Sequence, residues 1–379
     1  MEIKLLSPLQ LRSLTLKNRI VISPMCQYSA VSGRANDWHM VQYGRFALGG
    51  AGLVFLEATA VDKQGRITHG DLGLWEDSQI TALRRITEFL KGQGTVPGIQ
   101  ISHAGRRAGS QRPWHGAGPL GDEDLRLRGE AHWETVAPSP LPANADWRHP
   151  REIGEADLKR LREAFHAAAR RALAAGFEVI ELHCAHGYLL HQFLSPLSNY
   201  RRDDYGGSRE RRCRFPLEIA TILRQLWPKD KPVFARVSAV DGLEGGLTLA
   251  DTLYFAERLK ACGVDVIDCS SGGLAKPVVA NSTVRPGYGF QVPYSEAVRR
   301  KVGIATMAVG LIIDPRHAED ILQQEQADLI AVGREALLEP NWPLHARFRL
   351  LGRPDFDVWP KQMGWWLANR ANQFEKLES

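Results

Sequence analysis

The amino-acid sequence predicts an α/β protein, a (β/α)8 TIM barrel, and three observations support this class. Eight short apolar runs, rich in β-branched residues, recur along the 379-residue chain. Amphipathic stretches with helical spacing separate most of these runs. The runs are apolar throughout, which is typical of parallel strands that helices cover from outside. Eight such units close a barrel, and this chain length suits one barrel with insertions.

The order of strands and helices follows from the same patterns. The predicted strands are Arg19–Pro24, Gly52–Glu57, Val96–Ile101, Glu178–His183, Val233–Ser238, Val264–Cys269, Ala305–Val309 and Asp328–Val332. The predicted helices are His39–Leu48, Ser78–Lys91, Glu155–Ala175, Glu210–Leu226, Leu249–Cys262, Val292–Val302 and Pro315–Gln324. A doubly wound open sheet is the structural alternative, but it usually carries GxGxxG after its first strand. Here the first strand ends in Ser23-Pro24-Met25-Cys26, without glycine, which favours the barrel.

Two segments interrupt the βα repeat. Residues 5–18 alternate polar and apolar positions, and we expect a hairpin that plugs the N-terminal end of the barrel. Residues 103–151 form the longest irregular stretch and are rich in proline and tryptophan. A loop this long is usually a functional lid or a disordered excursion. Because it follows the third strand, we expect it over the C-terminal mouth, where barrel enzymes do their chemistry.

The chain is interpreted as one domain, residues 1–379, that ends in a tail. Residues 350–379 contain Trp359, Trp365 and Trp366. Three tryptophans so close together are poorly explained by a solvated tail. We therefore expect them to pack against the barrel or against a partner subunit.

Composition argues against several classes of protein. Hydrophobic residues make up 44% and charged residues 24% of the chain, as in soluble globular proteins. We find no apolar run long enough to span a membrane and no signal peptide, so we expect a cytoplasmic protein. The net charge of +5 comes without a nucleic-acid recognition motif, so no nucleic-acid partner is expected. Five cysteines without a CxxC pair indicate reduced thiols and no metal site.

The motif His183-Cys184-Ala185-His186-Gly187-Tyr188 directly follows the fourth predicted strand. Barrel active sites collect at strand C-termini, so His183, His186 and Tyr188 should share one small volume. Two imidazoles suit the stabilisation of a developing negative charge, and a phenol suits proton donation. This combination points to reduction of a carbonyl-activated double bond. A metal site, which would want a further ligand, and a purely structural histidine pair are the alternatives.

Two glycines lie where barrels commonly bind phosphate. Gly310 directly follows the seventh strand, and Gly333-Arg334 follows the eighth. Glycine lets backbone N–H groups approach an anion, and Arg334 adds a charged contact. Taken together they predict a phosphate site, although each glycine alone is also explained as a turn residue.

Gln100 and Arg236, from the third and fifth strands, should face the interior part of a bound ligand. Both donate hydrogen bonds, which suits a ring that becomes anionic on reduction, as flavin does. A layer-filling role for Gln100 and a structural ion pair for Arg236 are the alternatives. Cys26 follows the first strand without a base beside it, so we expect a thiol that contacts a flavin or only packs, and no nucleophile.

Together these residues resemble the Old Yellow Enzyme family of flavin-dependent ene-reductases, and more closely its thermophilic-like bacterial branch. The resemblance covers nearly the whole chain. Its motifs are Leu16-Lys17-Asn18-Arg19-Ile20, Ser23-Pro24-Met25-Cys26, Gln64-Gly65-Arg66-Ile67, Gln100 with His103-Ala104-Gly105-Arg106, the His183–Tyr188 motif, Phe193-Leu194-Ser195-Pro196-Leu197-Ser198-Asn199, Asp204-Tyr205-Gly206-Gly207-Ser208, Arg236-Val237-Ser238 and the two phosphate glycines.

The resemblance implies a non-covalently bound FMN. The residues that match its contacts are Ser23, Pro24, Met25, Ala58, Gln100, Arg236, Gly310, Leu311, Gly333 and Arg334. Cys26 matches a thiol at the flavin, and Tyr28 matches a phenol nearby that contacts substrate. His183 and His186 match the pair that hydrogen-bonds the substrate's activating group, and Tyr188 matches the proton donor.

By the same resemblance, the protein is an NADPH dehydrogenase and ene-reductase. It takes hydride from NADPH or NADH and passes it, in ping-pong fashion, to the C=C bond of α,β-unsaturated carbonyl compounds and related activated alkenes. The branch inserts a C-terminal Arg or Trp into a neighbouring subunit's site. Trp365 or Trp366 is therefore expected to contact substrate across a homodimer or higher homo-oligomer.

A barrel that binds a phosphate ligand without redox chemistry, such as an aldolase or an isomerase, is the alternative function. A Schiff-base lysine at a strand end would favour it. No predicted strand end carries a lysine.

Overall fold

A computed structural model describes residues 2–274 and 282–378 as a closed barrel of eight parallel strands with helices around it. The barrel strands are Ile20–Ile22, Leu53–Ala60, Val96–Ser102, Val179–Cys184, Val233–Ser238, Val266–Ser270, Ala305–Ala308 and Leu329–Val332. Strands adjacent in the chain are adjacent in the barrel. The last pairs with the first, Ile330 opposite Ile20, and closes the sheet. The predicted TIM barrel is confirmed.

Helices cover the outside of the barrel and also extend past its last strand. The α-helices are Asp37–Leu48, Ile80–Gly92, Asp122–Arg128, Glu155–Ala174, Leu189–Leu194, Arg209–Leu226, Leu249–Ala261, Val292–Val302, Pro315–Gln323, Arg334–Leu338, Trp342–Leu351 and Lys361–Glu378. The sequence patterns missed the short helices after strands four and eight because each is about one or two turns long and lacks a full apolar stripe. Among the described residues, no helix is long and apolar enough to cross a membrane.

Alternation along the fourth strand decides which side chains enter the site. Successive strand residues point to opposite faces. Ile180, Leu182 and Cys184 pack in the layer between barrel and helices. Val179 packs inside the barrel, so Glu181 and His183 also face inward. Cys184 therefore points away from the site, because it directly follows His183 on the strand.

The predicted hairpin is present and closes the N-terminal end of the barrel. Strand Leu9–Leu11 pairs antiparallel with Leu14–Leu16. Leu11 and Leu16 pack in one apolar cluster with the interior side chains of the barrel strands. This burial excludes water from the N-terminal end of the barrel interior.

The segment 103–151 contains more regular structure than the sequence predicts. It includes the helix Asp122–Arg128 and a strand pair, Val136–Ala137 beside Arg151–Glu152. Acidic residues begin that helix and arginines end it, which suits the helix dipole. The expectation of an irregular segment is therefore wrong in part, because charge and capping, rather than apolar periodicity, favour this helix.

The C-terminal tryptophans divide into two groups. Trp359 is half-buried against Phe348 and Phe356, with ring centroids 6.0 and 6.3 Å away. Trp365 and Trp366 lie on the last helix and are 62% and 68% exposed on this chain. Of the two alternatives expected, packing against the barrel does not hold for Trp365 and Trp366, because their helix turns those side chains outward. Packing against a partner subunit stays a prediction.

We expect Phe234→Ala to lower the free energy of unfolding by about 3–5 kcal/mol, because it opens a cavity inside the barrel. Phe234 is fully buried and its ring centroid lies 5.6 Å from that of Phe55. The measurement is urea unfolding followed by far-UV circular dichroism. Val41→Ala, on a side chain that is 68% exposed, should change stability by less than about 0.5 kcal/mol. Equal losses in both variants would contradict the packing described.

Candidate active site

A cavity of about 510 Å³ opens at the C-terminal mouth of the barrel. It lies where strands one, five, seven and eight end. Its lining includes most of the predicted cofactor residues, namely Ser23, Pro24, Met25, Arg236, Gly310, Leu311, Gly333 and Arg334. Three other predicted residues, Cys26, Ala58 and Gln100, do not line this cavity. Other lining residues, which sequence reasoning missed, are Phe290, Gln291, Val309, Ile312, Ile313, Ala331, Glu335 and Leu338.

The backbone at strands seven and eight forms one edge of this cavity. Gly310 has φ +121°, a conformation that favours glycine. A Cβ there would lie 2.9 Å from the Gln291 amide and 3.1 Å from Phe290. Leu311 follows in the left-handed region at φ 51°. Gly333 caps the short helix that Arg334 begins. Strained, glycine-dependent backbone of this kind is typical of a close approach to a ligand.

A buried polar layer lies beneath the cavity. Arg236 Nη1 donates a hydrogen bond to Ser23 Oγ at 3.0 Å. Arg236 Nε lies 3.1 Å from Asp268 Oδ2, and the two side chains are 9% and 0% exposed. The ion pair foreseen as an alternative role for Arg236 is therefore present. The same guanidinium still lines the cavity, so the ion pair and a ligand contact coexist.

Glu181 and Asp268 are functional candidates that sequence reasoning missed. Gln100 Nε2 donates a hydrogen bond to Glu181 Oε1 at 2.8 Å. Burial raises the pKa of Glu181 well above its usual value, and the nearby Asp268 raises it further. Burial also raises the pKa of Asp268 to about 6, against the pull of Arg236. Each of these acids lies within an otherwise largely apolar strand, and this could have marked them in the sequence. A buried carboxylate is rare unless it has a partner.

His183 presents a free donor nitrogen. Its Nδ1 accepts a hydrogen bond from Ala185 N–H at 3.2 Å, so Nε2 carries the proton of the neutral ring. Burial, with the positive charge of Arg236, lowers the pKa of His183 well below its usual value. The ring is therefore neutral at physiological pH.

His186 lies beside it, with ring centroids 5.1 Å apart. Burial and Arg236 lower the pKa of His186 as well. Its Nε2 is already 2.7 Å from Ser270 Oγ, within a hydrogen bond. A donor role for His186 toward a ligand therefore uses Nδ1–H, with the Ser270 hydroxyl donating to Nε2. The Ser270 hydroxyl, on strand six, is compatible with this tautomer, because a hydroxyl can either donate or accept.

Tyr188 completes the cluster at the start of the helix Leu189–Leu194. Its ring centroid is 5.0 Å from that of His183. Burial raises the pKa of Tyr188, so the phenol stays protonated, while the Arg107 guanidinium 5.9 Å from the ring acts in the opposite direction. Arg107 Nη1 also donates to the carbonyls of His186 and Gly273, at 2.5 and 2.6 Å. Sequence reasoning missed Arg107. Its position shortly after the third strand, just past Gly105, was the signal that could have indicated it.

Cys26 and Tyr28 pack on the other side of Tyr188. Both join it in a small apolar cluster with Ala104 and Ala108. Burial raises the pKa of the Cys26 thiol well above its usual value. The thiol is therefore neutral, which agrees with the prediction that Cys26 is no nucleophile.

The geometry also bears on the alternative that His183 and His186 bind a metal ion. Across the described ranges, no group of three or more His, Cys, Asp or Glu side chains could hold a metal ion. Two neutral imidazoles and a protonated phenol instead lie together at the barrel mouth. The fold and site together define a TIM barrel with a cavity of cofactor size at its C-terminal mouth.

Comparison with known proteins identifies the family. Residues 4–350 match the family model described as "NADH:flavin oxidoreductase / NADH oxidase family". The chain belongs to this family, and the resemblance to Old Yellow Enzyme is confirmed.

Named relatives give the same assignment. The chain is 45% identical over 348 residues to an NADPH dehydrogenase of Geobacillus sp., covering 91% of this chain and 94% of that protein. It is 45% identical over 339 residues to an NADPH dehydrogenase of Bacillus subtilis, covering 89% and 92%. The structure of morphinone reductase superposes with a TM-score of 0.75 at 26% identity, covering 94% and 92%. The protein is therefore a flavin- and NAD(P)H-dependent oxidoreductase.

We expect Gly310→Ala to weaken flavin retention, because the new Cβ would strain the backbone and meet Gln291 and Phe290 at the cavity edge. The measurement is the ratio of flavin to protein absorbance after gel filtration. Gly207→Ala is the matched control, since Gly207 also has positive φ but open space around it. A full flavin complement in Gly310→Ala would contradict a ligand at this edge.

Proposed function

We propose that this protein is an FMN-dependent ene-reductase that uses NADPH or NADH to reduce the C=C bond of α,β-unsaturated carbonyl compounds and related activated alkenes. The observation that carries the proposal is the neutral pair His183 and His186 packed against a protonated Tyr188 at the barrel mouth. Membership in the flavin oxidoreductase family supports the redox part.

The residues present fit FMN. Its phosphate would lie at the glycine-dependent edge formed by Gly310, Leu311, Gly333 and Arg334, and its ring would lie toward Gln100 and Arg236. The remaining proposed contacts are Ser23, Pro24, Met25, Cys26 and Ala58. When bound, FMN supplies the chemistry of accepting hydride from the nicotinamide and passing it to the alkene. The cavity volume of about 510 Å³ is within the range of cofactor sites.

The imidazoles would bind the substrate's activating oxygen. Negative charge develops on that oxygen when the β-carbon is reduced. His183 Nε2–H and His186 Nδ1–H would donate to it, and such preorganised donors typically stabilise a transition state by about 3 kcal/mol each. Because their pKa values are lowered, both imidazoles would donate as neutral rings. Arg236 would then carry the positive charge at this side of the site.

Tyr188 would complete the reduction by giving its phenolic proton to the α-carbon. Arg107, 5.9 Å from the ring, would then stabilise the phenolate until it is reprotonated. Both the nicotinamide and the alkene would contact the same face of the flavin, so the first must leave before the second binds. Steady-state kinetics should therefore be ping-pong.

Other substrate contacts are proposed from the same cluster and from a second subunit. Tyr28 packs near Tyr188 and would contact the bound alkene. Trp365 or Trp366 would reach the site of a neighbouring subunit in a homodimer or larger homo-oligomer. The exposure of both indoles on the single chain is compatible with a surface that another copy covers.

The visible spectrum of the purified protein tests the proposal directly. Without oxygen, NADPH should bleach a flavin band, and cyclohexenone should restore it. Acid release of the chromophore and chromatography should identify FMN. A colourless protein that does not take up FMN would instead favour the phosphate-binding barrel without redox chemistry.

Replacing both histidines, His183→Ala with His186→Ala, should abolish enone binding and leave flavin bound, because the pair contacts substrate oxygen and does not line the proposed phosphate edge. Enone affinity is measured by the rate of flavin reoxidation against enone concentration. His166→Ala, on an exposed helix face, is the control. Loss of flavin from the double variant would mean that the pair is structural.

Tyr188→Phe should slow reoxidation by cyclohexenone on the order of 10²-fold or more, because it removes the proposed general acid. Reduction by NADPH should keep its rate, since that half-reaction needs no proton from Tyr188. Stopped-flow absorbance separates the two steps, with Tyr288→Phe, at an exposed phenol, as control. Equal slowing of both half-reactions would rule out the proton-donor role.

A further inference from the structure

We propose that a second cavity, built by the 103–151 segment, binds the adenosine phosphate end of NADPH. This inference rests on the proposed function, because it extends the site where NADPH delivers hydride. The cavity measures about 240 Å³. Its lining residues that matter are Arg106, Ala108, Trp133, Glu134, Trp147 and Arg148.

Arg106 is a buried cation that forms no ion pair among the described residues, although the more distant charge of Asp241 acts on it. Its side chain is 94% buried, since 6% of its surface is exposed. Its guanidinium makes one long hydrogen bond, Nη1 to Leu141 O at 3.5 Å, and its Nε is buried without a partner. In residues 2–274 and 282–378, no carboxylate lies within ion-pair distance of it. A buried charge without a partner is costly, which indicates that a bound anion completes this site.

The charges around the cavity favour an anion. Arg148, His132 and His149 also line it. Glu134 is the lining acid, and its Oε2 is 3.1 Å from Arg151 Nε, so its charge is compensated. Among the lining residues, Arg106 and Arg148 therefore supply positive charge for a phosphate, whereas Asp241, whose charge also acts on Arg106, is not part of the lining.

The aromatic walls favour a purine ring beside that phosphate. Trp133 has a fixed position, because its Nε1–H donates to Gln64 O at 2.9 Å and the Arg66 guanidinium lies 4.8 Å from its ring centre. Trp147 is half-buried and lines the same cavity. Such rings offer flat faces on which a nucleobase can stack.

The cavity adjoins the proposed active site. Ala108, one of its lining residues, packs in the apolar cluster that contains Tyr28, Tyr188 and Trp133. The next residue after Arg106, Arg107, contacts the loop of His186. At about 240 Å³ the cavity is smaller than a typical site for a whole ligand, so it suits one end of a dinucleotide. The nicotinamide end would lie at the histidine pair.

The experiment compares two hydride donors in anoxic stopped-flow reduction of the holoenzyme. NADPH carries the adenosine phosphate, whereas 1-benzyl-1,4-dihydronicotinamide lacks it. We expect Trp147→Ala and Arg106→Met each to raise the Kd for NADPH about tenfold, which corresponds to about 1.4 kcal/mol. Reduction by the benzyl donor should be unchanged. Arg126→Ala, an exposed arginine of the same segment, should change neither.

A direct titration separates this inference from the proposed function. Calorimetry with 2′,5′-ADP should show binding to the wild type and loss of binding in both variants. If neither donor reduces the protein, the proposed function fails, and this titration still decides whether the cavity binds adenosine phosphate. Equal losses with both hydride donors, the absence of 2′,5′-ADP binding, or equal competition by inorganic phosphate alone would overturn the inference. Trp147→Ala keeps the test valid if Arg106→Met fails to fold.

Discussion

The positive charge of Arg236 is the interaction on which the rest of the site depends. This guanidinium is buried between Ser23, Asp268 and the cavity. It compensates part of the charge of two buried acids, and it lowers the pKa of both His183 and His186. Both imidazoles are therefore neutral, as the donor role proposed for them requires. Burial is the larger cause of all four shifts; Arg236 adds to it for the two imidazoles and opposes it for the two acids.

Two adjacent arginines place further buried positive charge in the long segment after strand three. Arg107 lies beside the Tyr188 ring and joins the loops after strands four and six through the carbonyls of His186 and Gly273. Arg106 lines the neighbouring cavity. Because both side chains are buried, burial lowers the pKa of each. The segment therefore places one arginine at the barrel mouth and the next at a neighbouring cavity. A lid that packed only through apolar side chains would place no charge at either position.

Particular residues show how far sequence reasoning reached. His183, His186 and Tyr188 were predictable because they follow one apolar strand directly, and parallel strands end at a common rim. Gly310 and Gly333 were predictable for the same reason. Glu181, Asp268, Ser270 and Arg107 were missed. Their roles depend on which side chains of different strands and loops meet, and no local pattern encodes those distances.

The sequence by itself determined the barrel, its strand order and the residues at each strand end, since periodicity and turn chemistry are local properties. Only the tertiary structure decided which nitrogen of His183 is free, which partner engages His186, and that the last helix turns Trp365 and Trp366 outward. It also revealed the helix within the 103–151 segment and the cavity beside it. Such features arise from burial and from contacts between distant residues, which a linear pattern does not contain.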